Sequence, residues 1–350
     1  MFEYRGNIHI HSRYSDGGGS IEEIAAHASR AGLDFIIITD HFTLEGLDNG
    51  EEGYYDQALV LIGMEINEKC NHYLALGVEE PVANNDNDPQ QVINAVNRQK
   101  GIGIIAHPFE KGSPYYQEGR TFPWKDWNVD GFQGIEIWNY LSQYRDAFIG
   151  IGKGLYLLLN PVAGLAPPYF QALKKFDQLQ LEGKKVSAYG GSDAHGIKAG
   201  VGRWGITVSA YELCFKLINM HILCNEKLSG EVTADKPVIY QALGHGHSWI
   251  ACDYYRKSDG FRFELHHASR SWPVGSRVKY RPGLCLTVKT PAPSEVILLA
   301  NGRRTRVSTG KQHCFTRIEP GIYRIEAYLK YRYRSHPWIY SNSIWVTETP

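Results

Sequence analysis

Short, unbroken apolar runs recur along the first two-thirds of the chain, at residues 34–39, 58–64, 73–78, 101–106, 132–138 and 186–191. Such runs are the pattern of strands covered on both faces. Between them the apolar residues change to helical spacing. Ser20 and Glu23 form a capping box ahead of Ile24, Ala28 and Ala31, with Gly32 as the stop, and a second helix is predicted over 89–100. The intervening segments are long enough for crossover helices, so the pattern predicts an α/β barrel of parallel strands over residues 1–235. Beyond residue 210 a helical stretch over 211–224 and a short helix over 236–244 are expected. Strand-like runs follow at 261–267, 284–290, 296–299, 323–331 and 343–347, with turn signals at Asn301-Gly302 and Pro320-Gly321. Residues 236–350 therefore read as a small antiparallel β-sandwich.

Composition adds three constraints. The 350 residues suffice for two domains, each with its own core. The most apolar region, 155–166, is broken by Asn160 and Pro161 and follows Lys153, so no membrane span is expected. The six cysteines lack CxxC spacing and read as reduced structural residues; the first candidate ligand at residue 9 leaves no room for a cleavable signal peptide, and a cytoplasmic protein is expected. Net charge is zero, yet residues 256–350 hold 17 basic against 6 acidic side chains, while residues 1–255 hold 20 against 31. The basic half reads first as a solvated sheet face and second as a weak polyanion-binding surface. Two aromatic-rich interruptions, 112–130 and 139–170, read either as walls of a substrate cleft or as satellite core.

The polar residues that carry chemistry stand mostly at the C-terminal ends of the apolar runs. His9 and His11, two apart on a strand, point to one side of the sheet and can share an ion, with Asp16 in the following loop. His41, Glu65, His72, His107, Asp193 and His195 stand at or beside the ends of later runs, the face where chemistry collects in parallel barrels. Imidazole and carboxylate without thiolate suit Zn, Mn or Fe, and nine such groups exceed one ion's capacity. Two or three divalent ions are expected.

This ordered set resembles the PHP (polymerase and histidinol phosphatase) superfamily of metal-dependent phosphoesterases. The matching pieces are His9 to Asp16, Thr39-Asp40-His41, Gly63 to Glu65, His72, Ala106-His107-Pro108 and Ser192-Asp193-Ala194-His195. The resemblance implies a distorted seven-stranded (β/α) barrel. It implies one ion on His9, His11, Glu65 and Asp193, a second on Glu65, His72 and His107, and a third on Asp16, His41 and His195. The implied activity is hydrolysis of a phosphate ester of a small metabolite or nucleotide by a hydroxide bridging the ions, since metal-bound water falls from a pKa of ~15.7 to about 7.

Asp193, His195 and Glu65 are the residues expected to act on the substrate, with Arg203 as the phosphate-facing cation and Arg13 and Lys153 behind it. Asp40 is a candidate to orient a ligand imidazole, with a structural salt bridge as the alternative, and Glu136 a candidate to line the site. His27 reads as a partly exposed helix residue, and His245, His247, His266 and His267 as domain-interface packing. The 337–342 segment resembles the tail of barrel-plus-sandwich members. Alternative readings keep the metals and change the bond to a carbamate or carboxylate ester, or make the protein a nuclease on short oligonucleotides or a polyanion binder. The expected partner is a small phosphorylated or ester substrate; oligomeric state is not legible.

Overall fold

The computed structural model describes residues 1–115, 117–199, 206–208 and 210–348. The first unit runs β1 (Phe2–Asn7), α1 (Ile21–Ala31), β2 (Phe35–His41), α2 (Glu45–Asp48), β3 (Gly53–Tyr55), β4 (Ala58–Ile66), β5 (Tyr73–Leu76), α3 (Pro89–Arg98), β6 (Ile102–Ile105), β7 (Gly134–Asn139), α4 (Tyr140–Asp146), α5 (Ile151–Leu159), α6 (Phe170–Leu181) and β8 (Ser187–Gly191). All nine residues of β4 are buried, as an unbroken apolar run requires. Helix α1 forms where its caps direct: Ser20 accepts from the Glu23 amide, Glu23 returns the bond to Ser20, and Gly32 ends the helix at φ 74°.

Seven strands pair in the order β1, β2, β4, β5, β6, β7, β8, with β3 as a short hairpin partner of β4. The sheet is mixed rather than wholly parallel. β5 runs antiparallel to both β4 and β6, because the loop 67–72 is far shorter than the roughly dozen residues a parallel crossover needs. The two ends of the sheet meet at one parallel bridge, Ile10 with Ala194. β1 ends at Asn7, so His9 and His11 stand just past the strand instead of within it. The Ile10 carbonyl accepts from the Thr39 amide at 2.7 Å, which keeps that segment extended and its alternation intact.

A ribbon of β9 (Ile197–Ala199) and β10 (Ile206–Val208) and a one-turn α7 (Tyr211–Cys214) lead to β11 (Ile218–Cys224), α8 (Val232–Gly244) and β12 (Ser248–Cys252). The helix predicted over 211–224 is thus mostly strand. Leu217, Ile218 and Ile222 also fit a helical spacing, but Ile218, Met220 and Ile222 enter the first core with period two while Asn219 and His221 face the other way.

The second unit comprises β13 (Arg262–His267), β14 (Arg270–Pro273), β15 (Arg277–Lys279), β16 (Cys285–Ala300), β17 (Arg303–Phe315), β18 (Gly321–Tyr331), β19 (Arg334–Ser341) and β20 (Ile344–Thr347). It is antiparallel apart from β15 with β20. Two predicted strands are one: β16 carries a register shift between Lys289 and Ser294, pairing β13 before it and β18 beyond it. The turn to β17 is Asn301 and Gly302, both at positive φ, as a two-residue hairpin requires.

The expected division between residues 235 and 236 falls inside α8, whose Ile239, Ala242 and Leu243 belong to the first core. β12 serves both cores, with Ile250 in the first and Trp249 and Ala251 in the second. The 337–342 segment adds β19 to β12. Asn342 then accepts from the Ala188 amide at 2.6 Å and donates to the Ala188 carbonyl at 3.1 Å, bracing β8.

The junction is also held by charge. His221, fully buried against Trp249, has Nδ1 3.2 Å from Glu3 and Nε2 3.1 Å from Asp253 and 3.0 Å from Ser258. Burial pulls its imidazole down, but the Asp253 and Glu3 carboxylates overcome this and hold it up at about 9. A folded pKa raised above the ordinary value near 6.5 stabilises fully below that pH and is lost as pH rises through about 9. Thermal melts from pH 6.5 to 9.5 are therefore expected to lose on the order of 2–3 kcal/mol of stability that His221→Gln lacks at every pH.

Candidate metal centre

Strand register brings the candidate residues together. β2 and β4 lie parallel with His41 opposite Glu65 and Thr39 opposite Gly63. A side chain at Gly63 would stand 2.6 Å from the Ala75 carbonyl, so the close approach of β5 depends on that glycine. His72 precedes β5 and His107 follows β6; the Ala106 amide donates to the His72 carbonyl at 3.0 Å, putting both histidines at the same end of the sheet. The Ile10–Ala194 bridge sets His9 and His11 beside Asp193 and His195, with the His11 and His195 rings stacked at 4.3 Å.

All nine candidate ligands lie in one cluster around Glu65. Glu65 Oε2 is 3.1 Å from Nε2 of both His9 and His11 and 3.6 Å from His41 Nδ1. Its Oε1 is 2.7 Å from His72 Nδ1 and 3.3 Å from His107 Nε2. Asp193 Oδ1 lies 3.4 Å from His9 Nε2 and 3.2 Å from His11 Nε2. Asp16 lies 3.3 Å from His195 and 3.9 Å from His41. Within this cluster, three sets among the described residues have ligand atoms close enough to share an ion: His9, His11 and Asp193; His9, Glu65 and His107; and His11, Asp16, His41 and His195. The last adds His11 to the expected third group, and the second contains His9 where His72 was expected.

Neighbouring carboxylates hold several of these side chains in place. Glu136, buried and 3.1 Å from His9 Nδ1, accepts from the His107 amide and from Asn139 Nδ2 at 3.0 Å each. A side chain on Gly191 would meet both His9 and Glu136 within 3.0 Å. Asp40 does not reach an imidazole: it accepts from the Ser12 amide at 2.7 Å and the Ser12 hydroxyl at 2.6 Å, and from Ser15 Oγ, pinning the loop that carries Asp16. Its Ser12 and Ser15 partners are nearer than any ring, which decides its role. Glu110, which sequence reasoning passed over, sits 3.9 Å from His107 Nδ1 and 3.5 Å from Arg145.

Burial pulls the His9 and His11 imidazoles down, but the surrounding carboxylates hold both up, His11 at about 10. His107 is held up to about 9 by Glu110 and Glu65 against the same burial. His41, dominated by burial, falls to about 4. Burial acts to raise the Glu65 and Asp193 carboxyls, yet the facing imidazoles keep both well below the ordinary range.

The donor set fits divalent ions. Both ring nitrogens of His11, Nδ1 of His41 and His107, and Nε2 of His72 are buried without a hydrogen-bond partner among the described residues. His11 Nε2 lies 3.1 Å from Glu65 Oε2 and 3.2 Å from Asp193 Oδ1 without a hydrogen bond to either, separations that ligands of one ion adopt, since bonds of about 2.1 Å at tetrahedral angles put donor atoms roughly 3.4 Å apart.

Other candidates lie elsewhere. Arg203 falls outside the described residues. Arg13 is exposed, and Lys153 lies over the Tyr156 ring on α5. His27 pairs with Arg30 and Glu212. His245 and His247 line a cleft of about 430 Å³ with Trp272, Arg277 and Trp345, where the two units adjoin; His266 bonds Thr287 on the neighbouring strand. The 112–130 stretch is both wall and core, since Phe122 stacks on His72 at 4.3 Å while Trp124 and Val129 are core residues.

Residues 7–164 match the PHP domain family. No functionally curated protein matches the chain. Among solved structures, the chain is similar to a two-domain protein from Bacteroides vulgatus containing a predicted PHP-like metal-dependent phosphoesterase (15% identity, 93% of this chain and 90% of that one, TM-score 0.45). It is also similar to an amidohydrolase from Chromobacterium violaceum with bound sulfate and no metal (15% identity, 54% of this chain and 87% of that one, TM-score 0.34).

Because the cluster buries ring nitrogens that have no hydrogen-bond partner among the described residues, added Zn²⁺ or Mn²⁺ is expected to raise the melting temperature of chelator-treated protein. At 100 times the dissociation constant the gain is about 2.7 kcal/mol, or a few degrees. Differential scanning calorimetry of wild type and Glu65→Gln checks this; an equal shift in both would contradict a centre built on Glu65.

Proposed function

We propose, from the premise that residues 7–164 belong to the PHP domain family, that this metal-dependent hydrolase cleaves phosphate esters of small molecules. The observation that carries the reading is the convergence of five imidazoles and Asp193 around one buried carboxylate, Glu65, with several ring nitrogens lacking a hydrogen bond among the described residues. The ions would be divided among the three close sets described above, with Glu65 placed to bridge and His72, 2.7 Å from Glu65 Oε1, beside the set of His9, Glu65 and His107. Bound divalent ions supply two things: a coordinated water of lowered pKa, and positive charge against the phosphoryl oxygens.

The protein's own groups set the geometry. Glu136 and Asn139 orient His9 and the Asp193 side of the cluster, and Asp40 fixes the Asp16 loop through Ser12 and Ser15. The cluster opens to solvent on one side, at Asp16, whose side chain is 57% exposed, and at His41. Asp16 and His195 stand at that edge, where the ion they would hold faces a departing oxygen. Exposed Arg303, Arg306 and Lys311 on β17 support weak polyanion binding as an accessory property.

A carboxylate or carbamate ester is the second reading, favoured by the aromatic rings of Phe42 and Phe122 against His41 and His72. A panel of phosphate, carboxylate and carbamate esters, assayed on protein of measured metal content, separates the two: turnover of phosphate esters is expected, and turnover of the others alone would overturn the leading reading. His9→Ala and Asp193→Ala are expected to lower turnover at least 1000-fold with an unchanged circular dichroism spectrum.

A further inference from the structure

Phe42 combines two features that packing does not explain. A large apolar side chain, it is 43% exposed, and its backbone lies in the left-handed region at φ 62°, which a bulky residue rarely adopts. The conformation is imposed from the site: the Phe42 amide donates to the Glu65 carbonyl at 3.0 Å, continuing the β2–β4 pairing one residue past His41. The strain holds an exposed ring 5.3 Å from the His41 ring, beside the open edge of the cluster. Strain of this kind persists where the surroundings over-determine it, and it concentrates at ligand sites.

A second ring stands nearby. Phe122 stacks on His72 at 4.3 Å and an interplanar angle of 28°, and the exposed Arg120 guanidinium lies over the same ring at 4.9 Å. His41 and His72 are themselves 5.6 Å apart, so the two phenyl rings flank adjacent candidate ligands.

We propose that Phe42, with Phe122, is a specificity-determining contact that selects phosphate esters whose leaving group is a flat aromatic ring. This rests on the phosphoesterase reading of the cluster. An ester docked through its phosphate at the centre leads its leaving group out past Asp16 and His41, where Phe42 offers a solvent-facing edge or face. Offset or edge-to-face contact with an aromatic ring rewards planarity, which an alkyl chain lacks.

The test uses metal-loaded, full-length protein and non-hydrolysable probes, read by isothermal titration calorimetry. Phenylphosphonate is expected to bind roughly three- to tenfold more tightly than methylphosphonate or butylphosphonate. Phe42→Gly, which suits the left-handed backbone and should melt no lower than wild type, is expected to cut that ratio toward one, whereas Phe42→Tyr keeps it. A ratio near one in wild type, butylphosphonate equal to phenylphosphonate, or a ratio surviving in the Phe42→Gly/Phe122→Ala variant overturns the proposal. Binding does not require turnover, so the two readings fail separately. Aromatic preference without hydrolysis of any phosphate ester rejects only the phosphoesterase assignment, and hydrolysis without the preference rejects only the aromatic clamp.

Discussion

A carboxylate that is 1% exposed must have its charge answered within the protein, and Glu65 is the group on which this structure turns. It stands at the end of β4, all of whose residues are buried, and is met by imidazoles from four places in the chain: the segment past β1, the end of β2, the residue before β5 and the residue after β6. Each comes from a different strand end, so the charge is compensated only when the sheet has assembled. The same assembly leaves nitrogens of His11, His41, His72 and His107 without hydrogen-bond partners among the described residues, a cost that suits a cluster completed by metal rather than by further hydrogen bonds.

Much of the remaining architecture steadies that arrangement. Glu136 reaches His9 and the His107 backbone at once, and the lack of a side chain at Gly191 leaves room for both His9 and Glu136. Asp40 braces the loop of Asp16 through two serines. The second unit takes part as well. β19 pairs with β12, and Asn342 caps the backbone of Ala188 on β8, the strand whose end carries Asp193 and His195. Buried His221 ties β1, which leads into His9, to Asp253 beyond β12. The two units share strands and cores, so the centre is braced from behind by the antiparallel unit.

Local pattern carried a good deal of this. The helices with explicit caps, α1 above all, and the strands buried on both faces were legible because capping chemistry and unbroken apolar runs are local signals. The nine candidate ligands were legible because strand ends concentrate them. Segments whose signal is ambiguous were not. The apolar residues of β11 fit both periods, so the local pattern there points to a helix. β17 pairs with β16 alone and is studded with exposed Arg303, Arg304, Arg306 and Lys311, so it has no apolar run by which local pattern marks a strand. Glu110 and Arg145 carry no motif at all and become visible only beside His107.

The sequence by itself determined the donor chemistry of the centre, the alternation of strands and helices that feeds it, and the change to strand-rich pattern beyond residue 260, since residue type and periodicity act over a few neighbours. Tertiary structure alone decided the grouping of those donors: His9 beside Glu65 and His107, His11 shared toward Asp16, Asp40 turned to the serines rather than to an imidazole. It also decided that Phe42 is held, strained and exposed, at the mouth. These depend on strand register and on one parallel bridge between Ile10 and Ala194, contacts between residues far apart in the chain that no local window contains.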